Sequence, residues 1–234
     1  MRIIAFGDIH DRAENIGNID RLSDADHVII TGDLTNFGGV GRAKKIIETV
    51  SRHNPSLYAQ PGNMDQREVE SYLDELGINL HSKGVIIQGV GFFGVGGSNY
   101  TPFNTPTEYT EEEIKEFIQK GYEEVKHVTL KILVSHAPPC NTNVDIVGRG
   151  HHVGSVSVRK FIEEYQPQVC LTGHIHEAVG KDRIGETIIL NPGMVENGGY
   201  VELVEKEGRL EATLKSVQTG HTTRRCSRHG KPCG

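Results

Sequence analysis

The sequence predicts an α/β fold on three observations. Three strand, loop and helix rounds follow one another before residue 77, a hairpin then reverses the sheet direction, and the C-terminal third consists of short strands joined by tight turns. In the first round, residues 2–6 form an apolar run stopped by Gly7-Asp8, and Ile16, Ile19 and Leu22 recur at helical intervals within 13–23. The second round is an apolar run over 27–31, stopped by Gly32-Asp33 and followed by a Gly-rich turn and a helix carrying Ala43, Ile46, Ile47 and Val50. In the third, residues 56–59 stop at Pro61-Gly62-Asn63-Met64-Asp65, and Val69, Tyr72, Leu73 and Leu76 mark a helix. Such units in succession imply a parallel sheet. Residues 85–87 and 92–95, separated by a Gly turn, read as a hairpin. Residues 98–109 are rich in Pro, Thr and Asn and long for a connection, so they form either a functional loop or a disordered one. Thr110 then caps a helix with Glu111, Glu112 and Glu113 in its first turn. A strand over 131–135, a second long loop over 137–154, a helix from near Ser155 and short strands over 169–216 complete the chain.

Composition narrows the class. The chain has 234 residues, a length that layered folds reach around one core, so residues 1–220 are expected to form a single domain. An apolar share of 36% with 24% charged residues fits a globular protein and excludes wholesale disorder. Apolar runs such as 131–134 and 187–190 fall far short of the roughly 20 residues that cross a bilayer. Asp8 interrupts the N-terminal apolar stretch before a signal-peptide core can form, which points to the cytoplasm. Cys140, Cys170, Cys226 and Cys233 do not read as a disulfide framework. A net charge of −6 repels a nucleic-acid backbone unless basic residues cluster, so a small phosphate ester is the better partner than long DNA or RNA. No membrane partner is expected, and a homo-oligomer is compatible with the sequence.

The polar residues stand where these strands end. Asp8 and His10 follow the first strand, Asp33 the second, Asn63 the third, His136 the strand after the acidic helix, and His174 and His176 the next. Ligands bind outside the carboxyl edge of an open α/β sheet, so loops distant in sequence converge there. Two carboxylates, one amide oxygen and four imidazoles suit Mn²⁺, Fe, Zn²⁺, Ni²⁺ or Co²⁺ and are too rich in nitrogen for a Mg²⁺ or Ca²⁺ cage. Two divalent cations against Asp8, Asp33 and a bridging hydroxide leave about +1 toward solvent, which attracts an anion. The same ions bring the pKa of bound water down toward roughly 7 and neutralise phosphoryl charge.

Asp8-Ile9-His10, Gly32-Asp33, Gly62-Asn63-Met64-Asp65, His136 and Gly173-His174-Ile175-His176 resemble, in order, the five-motif signature of the calcineurin-like metallophosphoesterase superfamily. Asn191-Pro192-Gly193 fits the end of that fold, and the whole chain is similar to small prokaryotic phosphoesterases related to bacterial cyclic-nucleotide phosphodiesterases. The resemblance implies a four-layer αββα sandwich of two mixed β-sheets flanked by helices. It assigns one metal to Asp8, His10, Asp33 and His176 and the other to Asp33, Asn63, His136 and His174, with Asp33 bridging, and Mn²⁺ leads the candidate ions. The expected activity is hydrolysis of a phosphate ester, a diester before a monoester, by a metal-bridging hydroxide. A non-catalytic scaffold for protein contacts and a nuclease are the alternatives.

One position departs from the pattern. Where many relatives carry His, this chain has Met64, whose thioether can neither give nor take the proton a leaving alkoxide needs. Leaving groups that depart unprotonated, such as aryl oxides, are therefore favoured. His151 and His152 in the Gly-flanked loop could replace the missing acid, His152 as the catalytic group and His151 as a substrate contact; two solvated loop histidines are the bland alternative. Arg12 and Asn99 are further candidates for substrate contact, with Tyr100 beside them. Asp65 is expected to cap the following helix before orienting a ligand. Cys140 reads as structural. The basic tail over 221–234 is expected to be disordered, with His221, Cys226, His229 and Cys233 offering a less favoured zinc site.

Overall fold

Alternation along the strands builds the layers. In β1 (Arg2–Phe6) Ile4 and Phe6 enter one core while Ile3 and Ala5 enter another, and β2 (His27–Ile30) repeats this with Val28 and Ile30 opposite Ile29. The computed structural model describes residues 1–217; the predicted domain limit at 220 and the tail over 221–234 lie outside the described residues. With β3 (Leu57–Ala59), β14 (Gly199–Lys206) and β15 (Arg209–Ser216), these strands form a five-stranded sheet in the order β15-β14-β1-β2-β3. β1, β2 and β3 are parallel, as the repeated strand and helix rounds predict, and β14 joins β1 antiparallel.

The second sheet has six strands. It runs β12 (Gly180–Ile184), β13 (Thr187–Asn191), β11 (Val169–Leu171), β8 (Leu130–Ser135), β5 (Val90–Val95) and β4 (Gly84–Ile87). β4 and β5 are the expected hairpin, and β5, β8, β11 and β13 are parallel. Ile132, Val134, Val169 and Leu171 face the first sheet, where they meet Ile3, Ala5, Ile29 and Val201. Leu133 and Cys170 point the other way, against Ile114, Ile118 and Val125 of α3 (Glu111–Val125) and Val158, Phe161 and Ile162 of α4 (Val156–Tyr165). Across the first sheet, α1 (Val40–His53) and α2 (Glu68–Glu75) bury Ala43, Ile46, Ile47, Val50, Val69 and Leu73. Three apolar cores thus separate four layers, giving the αββα sandwich. Among the described residues, no helix is long and apolar enough to cross a membrane.

Local chemistry explains the boundaries. Thr110 accepts from the Glu113 backbone N–H at 3.2 Å while Glu113 accepts from the Thr110 N–H at 2.8 Å, so the start of α3 has the predicted cap made reciprocal. The helix expected over 13–23 does not form. Only the 3₁₀ turn Ile16–Asn18 is present, although Ile16, Ile19 and Leu22 are all buried as their spacing indicates. Asn15, Gly17 and Asn18 are weak helix formers, and Arg21 turns the chain through a left-handed conformation (φ 59°).

Candidate metal centre

Each predicted ligand follows a strand at the same edge of the sandwich. The first sheet delivers Asp8 and His10 after β1, Asp33 after β2 and Asn63 after β3; the second delivers His136 after β8 and His174 and His176 after β11. The chain turns inward there through the left-handed region at Asp8 (φ 49°), His10 (48°), Asp33 (51°) and His174 (67°). Non-glycine residues rarely adopt this conformation, and Asp and His are among those that tolerate it best. Two glycines make room: a Cβ on Gly32 would collide with the His136 imidazole, and one on Gly62 with the Asp33 carboxylate.

The donor atoms crowd one another. Nε2 of His10 lies 3.0 Å from Nε2 of His176 and 3.5 Å from Oδ2 of Asp33, and His176 Nε2 is 3.3 Å from Oδ1 of Asp8. Asp8, His10, Asp33 and His176 each offer one atom within 4.8 Å of all the others. On the far side of Asp33, His136 Nε2 stands 3.3 Å from Oδ2 and 3.1 Å from Oδ1 of Asn63, and the rings of His136 and His174 are 5.4 Å apart. Two ligands about 2.1 Å from one ion are about 3.0 Å apart at a right angle and about 3.4 Å at the tetrahedral angle. The spacings around Asp8, His10, Asp33 and His176 are of that size, which makes these four a candidate site for a shared cation. Asp33 Oδ2 faces both groups. Its Oδ1 instead accepts from the Met64 N–H at 2.8 Å.

Three sets of hydrogen bonds hold these side chains in place. Asn63 Nδ2 donates to Thr105 Oγ1 at 2.9 Å, which turns Oδ1 toward His136. Thr105 in turn donates its hydroxyl (2.6 Å) and its N–H (2.8 Å) to Glu108 Oε1, which also receives Thr101 Oγ1 at 2.6 Å. Glu108 therefore orders the 98–109 loop, whose ends pair as β6 (Ser98–Asn99) and β7 (Glu108–Tyr109). Burial raises the Glu108 pKa, but these donors outweigh it and hold the carboxyl below its usual range. Asp65 does not cap α2, contrary to expectation. It is fully buried and accepts from Leu34 N (3.0 Å), Thr35 N (2.8 Å), Thr35 Oγ1 (2.7 Å) and Gly62 N (2.9 Å), binding the loop that carries Asp33 to the loop that carries Asn63. At the other wall, Asn191 donates to the carbonyls of Ile175 and Ala178 and accepts from Gly193 N, which fixes the turn bearing His176.

Electrostatics divides the imidazoles. Burial pushes His174 down to about 4, with His136 adding to the effect, and burial likewise lowers His10. Burial also opposes charge on His136, yet the Asp33 carboxylate beside it, with Asp8, raises it to about 9. Burial opposes charge on Asp8 as well, but the His176 hydrogen bond and the surrounding imidazoles outweigh it and bring the carboxyl down to about 2. In the absence of metal, the proton on His136 supplies part of the positive charge that the two carboxylates demand.

A cavity of about 850 Å³ opens over the donors and is lined by His10, Asp33, Asn63, His174 and His176 together with Met64. Asn99 lines it too, and its Nδ2 donates to the Val153 carbonyl at 3.1 Å. Arg12 does not line it; its guanidinium is paired with Glu196 at 2.5 Å, which draws it to a neighbouring surface. His151 and His152 form β10 (His151–His152), which pairs with β9 (Ile146–Val147), and neither lines the cavity. His152 Nδ1 lies 2.7 Å from Oδ1 of buried Asp145, a carboxylate that also receives the backbone N–H groups of Asn141, Thr142 and Gly154. That contact holds the His152 ring against Asp145. Cys140 is buried and unpaired, in keeping with its structural reading.

The profile of a family described as calcineurin-like phosphoesterase matches residues 1–178. An uncharacterized protein of Methanocaldococcus jannaschii is 42% identical over 198 residues, covering 82% of this chain and 88% of that protein. The crystal structure of TT1561 of Thermus thermophilus superposes with a TM-score of 0.68 at 20% identity, over 93% of this chain and 99% of that one. The 5′-nucleotidase of Candida albicans shares the fold at a TM-score of 0.53 and 15% identity, over 93% of this chain and 51% of that protein.

Proposed function

The chain belongs to the calcineurin-like phosphoesterase family, and from that premise we propose that it hydrolyses phosphodiesters with two divalent transition-metal ions, Mn²⁺ first among them. The observation that carries the reading is the spacing of 3.0 to 3.5 Å among donor atoms of Asp8, His10, Asp33, Asn63, His136 and His176, brought together from separate strand ends of both sheets. In this reading Asp8, His10, Asp33 and His176 hold one ion, and Asp33, Asn63, His136 and His174 the other. When bound, the ions activate water and neutralise phosphoryl charge. The chain's own residues do the rest. Asp33 presents Oδ2 to both groups while the Met64 N–H holds its other oxygen. Thr105 keeps the amide oxygen of Asn63, not its NH₂, turned inward.

Met64 supports the preference for a diester with a good leaving group. Its thioether lines the cavity and carries no proton. Neither His152 nor His151 lines the cavity, so the reading assigns them no catalytic part, and Arg12, held by Glu196, no contact with substrate. The unpaired buried thiols of Cys140 and Cys170 support a cytoplasmic setting.

The test is hydrolysis of bis(4-nitrophenyl) phosphate and 4-nitrophenyl phosphate by metal-stripped protein with Mn²⁺ restored, beside Asp33→Asn. Diester cleavage that exceeds monoester cleavage and vanishes in the variant is expected. Monoester cleavage alone would replace the diesterase with a phosphatase, and silence on both esters with two ions bound would favour the scaffold.

A further inference from the structure

The cavity is larger than one phosphoryl group requires; about 850 Å³ lies within the roughly 300–1,000 Å³ of pockets that enclose drug-sized ligands. Its remaining wall is apolar and partly aromatic, with Phe37, Tyr100 and Phe103 joined by Pro102 and Val153. Other rings are used up inside the protein: Phe93, Tyr109, Phe117, Tyr122, Phe161 and Tyr165 stack or abut one another around α3 and α4, and Phe6, Phe92 and Tyr200 are fully buried. Phe37, Tyr100 and Phe103 differ. They are 52%, 68% and 79% exposed, and all three border the metal centre. Exposed large apolar groups gathered at one place mark a binding surface.

The backbone keeps these rings where they are. Phe37 adopts a left-handed conformation (φ 56°), costly for a bulky residue, and its N–H is held by the carbonyl of Met64 at 3.0 Å. Tyr100 and Phe103 lie on the loop that Glu108 orders, and the Phe103 N–H donates to Thr101 Oγ1 at 3.1 Å. The rings therefore stand on a tethered loop. Charge sets a second limit, because no Lys or Arg is among the described residues that line the cavity and Glu177 adds a carboxylate. Among the described residues, a second phosphate would find no Lys or Arg there.

Resting on the phosphoesterase reading above, we infer that the substrate carries a single phosphate whose flanking ester group is an uncharged aromatic ring, and that Tyr100 and Phe103 bind that ring. Flat rings stack offset or edge-on against exposed aromatic faces, a gain that an aliphatic chain of equal area does not share. Polyphosphates and long acyl chains are the ligands this wall disfavours.

Binding to the Mn²⁺-loaded protein tests the inference apart from turnover. Phenylphosphonate, hexylphosphonate and methylphosphonate are titrated by calorimetry into the wild type, a Tyr100→Ala/Phe103→Ala variant and a Tyr100→Phe/Phe103→Tyr variant that keeps both rings. In the wild type, phenylphosphonate should bind about 10-fold tighter than methylphosphonate and tighter than hexylphosphonate. The phenyl-to-methyl ratio should fall toward one in the alanine variant and persist in the ring-retaining variant. A ratio near one in the wild type, or one that survives loss of both rings, overturns the inference. Tighter binding of hexylphosphonate would overturn the aromatic assignment in favour of an aliphatic occupant. Failure of all three phosphonates to bind would instead break the phosphoesterase reading on which the inference rests. A parallel rate measurement holds the leaving group constant: bis(4-nitrophenyl) phosphate should exceed methyl 4-nitrophenyl phosphate in kcat/KM, chiefly through KM, and the excess should disappear with the two rings.

Discussion

Replacing Thr105 with Val removes one hydroxyl and leaves the side chain's shape. Two hydrogen bonds go with it: the 2.9 Å bond from Asn63 Nδ2 and the 2.6 Å bond to Glu108. Glu108 keeps Thr101 Oγ1 and the N–H of residue 105, so the loop retains its main tie. Asn63 keeps no such substitute. A buried N–H without a partner costs about 1–3 kcal/mol, and the amide recovers part of this only by turning its NH₂ toward another acceptor. Either response weakens the ligand, because the oxygen now facing His136 at 3.1 Å is no longer the favoured orientation. Loss of a group that orients a metal ligand lowers affinity by about 10–100-fold, or about 1.4–2.7 kcal/mol. Calorimetric titration of metal-stripped protein with Mn²⁺ should therefore show one of two binding events weakened by that factor, with hydrolysis falling at limiting Mn²⁺. Thr105→Ser, which keeps the hydroxyl, should restore it. A Thr105→Val protein that titrates like the wild type would refute the assignment of Thr105 as the residue that sets the Asn63 amide.

Three further outcomes follow from the same geometry. Met64→His should raise turnover of methyl phenyl phosphate relative to methyl 4-nitrophenyl phosphate by at least about 10-fold, since a general acid helps only the poorer leaving group; an unchanged ratio would sink the idea. Asp65→Asn puts an amide where four donors now converge, and should cost about 3 kcal/mol in urea unfolding; a loss under about 1 kcal/mol would show that the loops hold together without it. Because His136 is raised to about 9 in the folded, metal-free protein, its contribution is complete below pH 6.5 and is lost as pH climbs through 9. The unfolding free energy of stripped protein should thus fall between pH 6.5 and 9.5, by up to about 3 kcal/mol, while the increment from added Mn²⁺ grows; a rise over that range would contradict the proton's place on His136.

What could be read from the sequence was what short spacing encodes. Asp8, Asp33, Asn63, His136 and His174 each stand within a few residues of an apolar run, so strand position alone gathers them at one edge, and the burial of Asp8, Asp33, Asn63 and His136 in the folded chain agrees. The periodicity of Ile16, Ile19 and Leu22 reported burial correctly and helix wrongly, because it measures which side chains face the core and not how the backbone carries them. Asp65 shows the opposite failure. A local rule placed an acid before a helix at its cap, but Leu34 and Thr35, about 30 residues earlier, present donors that no window around Asp65 contains.

The loop over 98–109 was left between function and disorder because it has no periodicity to read, and its meaning lies in one side chain. Glu108 is a single carboxylate at the loop's far end, yet it fastens Thr105, which sets the amide of Asn63, and Thr101, which fastens the N–H of Phe103. The candidate metal centre and the Tyr100–Phe103 part of the aromatic wall therefore share one support. Separate supports would let a change of the 98–109 loop retune the choice of ester group and leave metal affinity untouched. With Glu108 common to both, a substitution that frees the rings also loosens the oxygen of Asn63. Substitutions confined to the exposed rings of Tyr100 and Phe103 escape this coupling, because those side chains take no part in the Glu108 bonds; discrimination between esters is therefore adjustable at the ring positions and costly to adjust anywhere nearer the carboxylate.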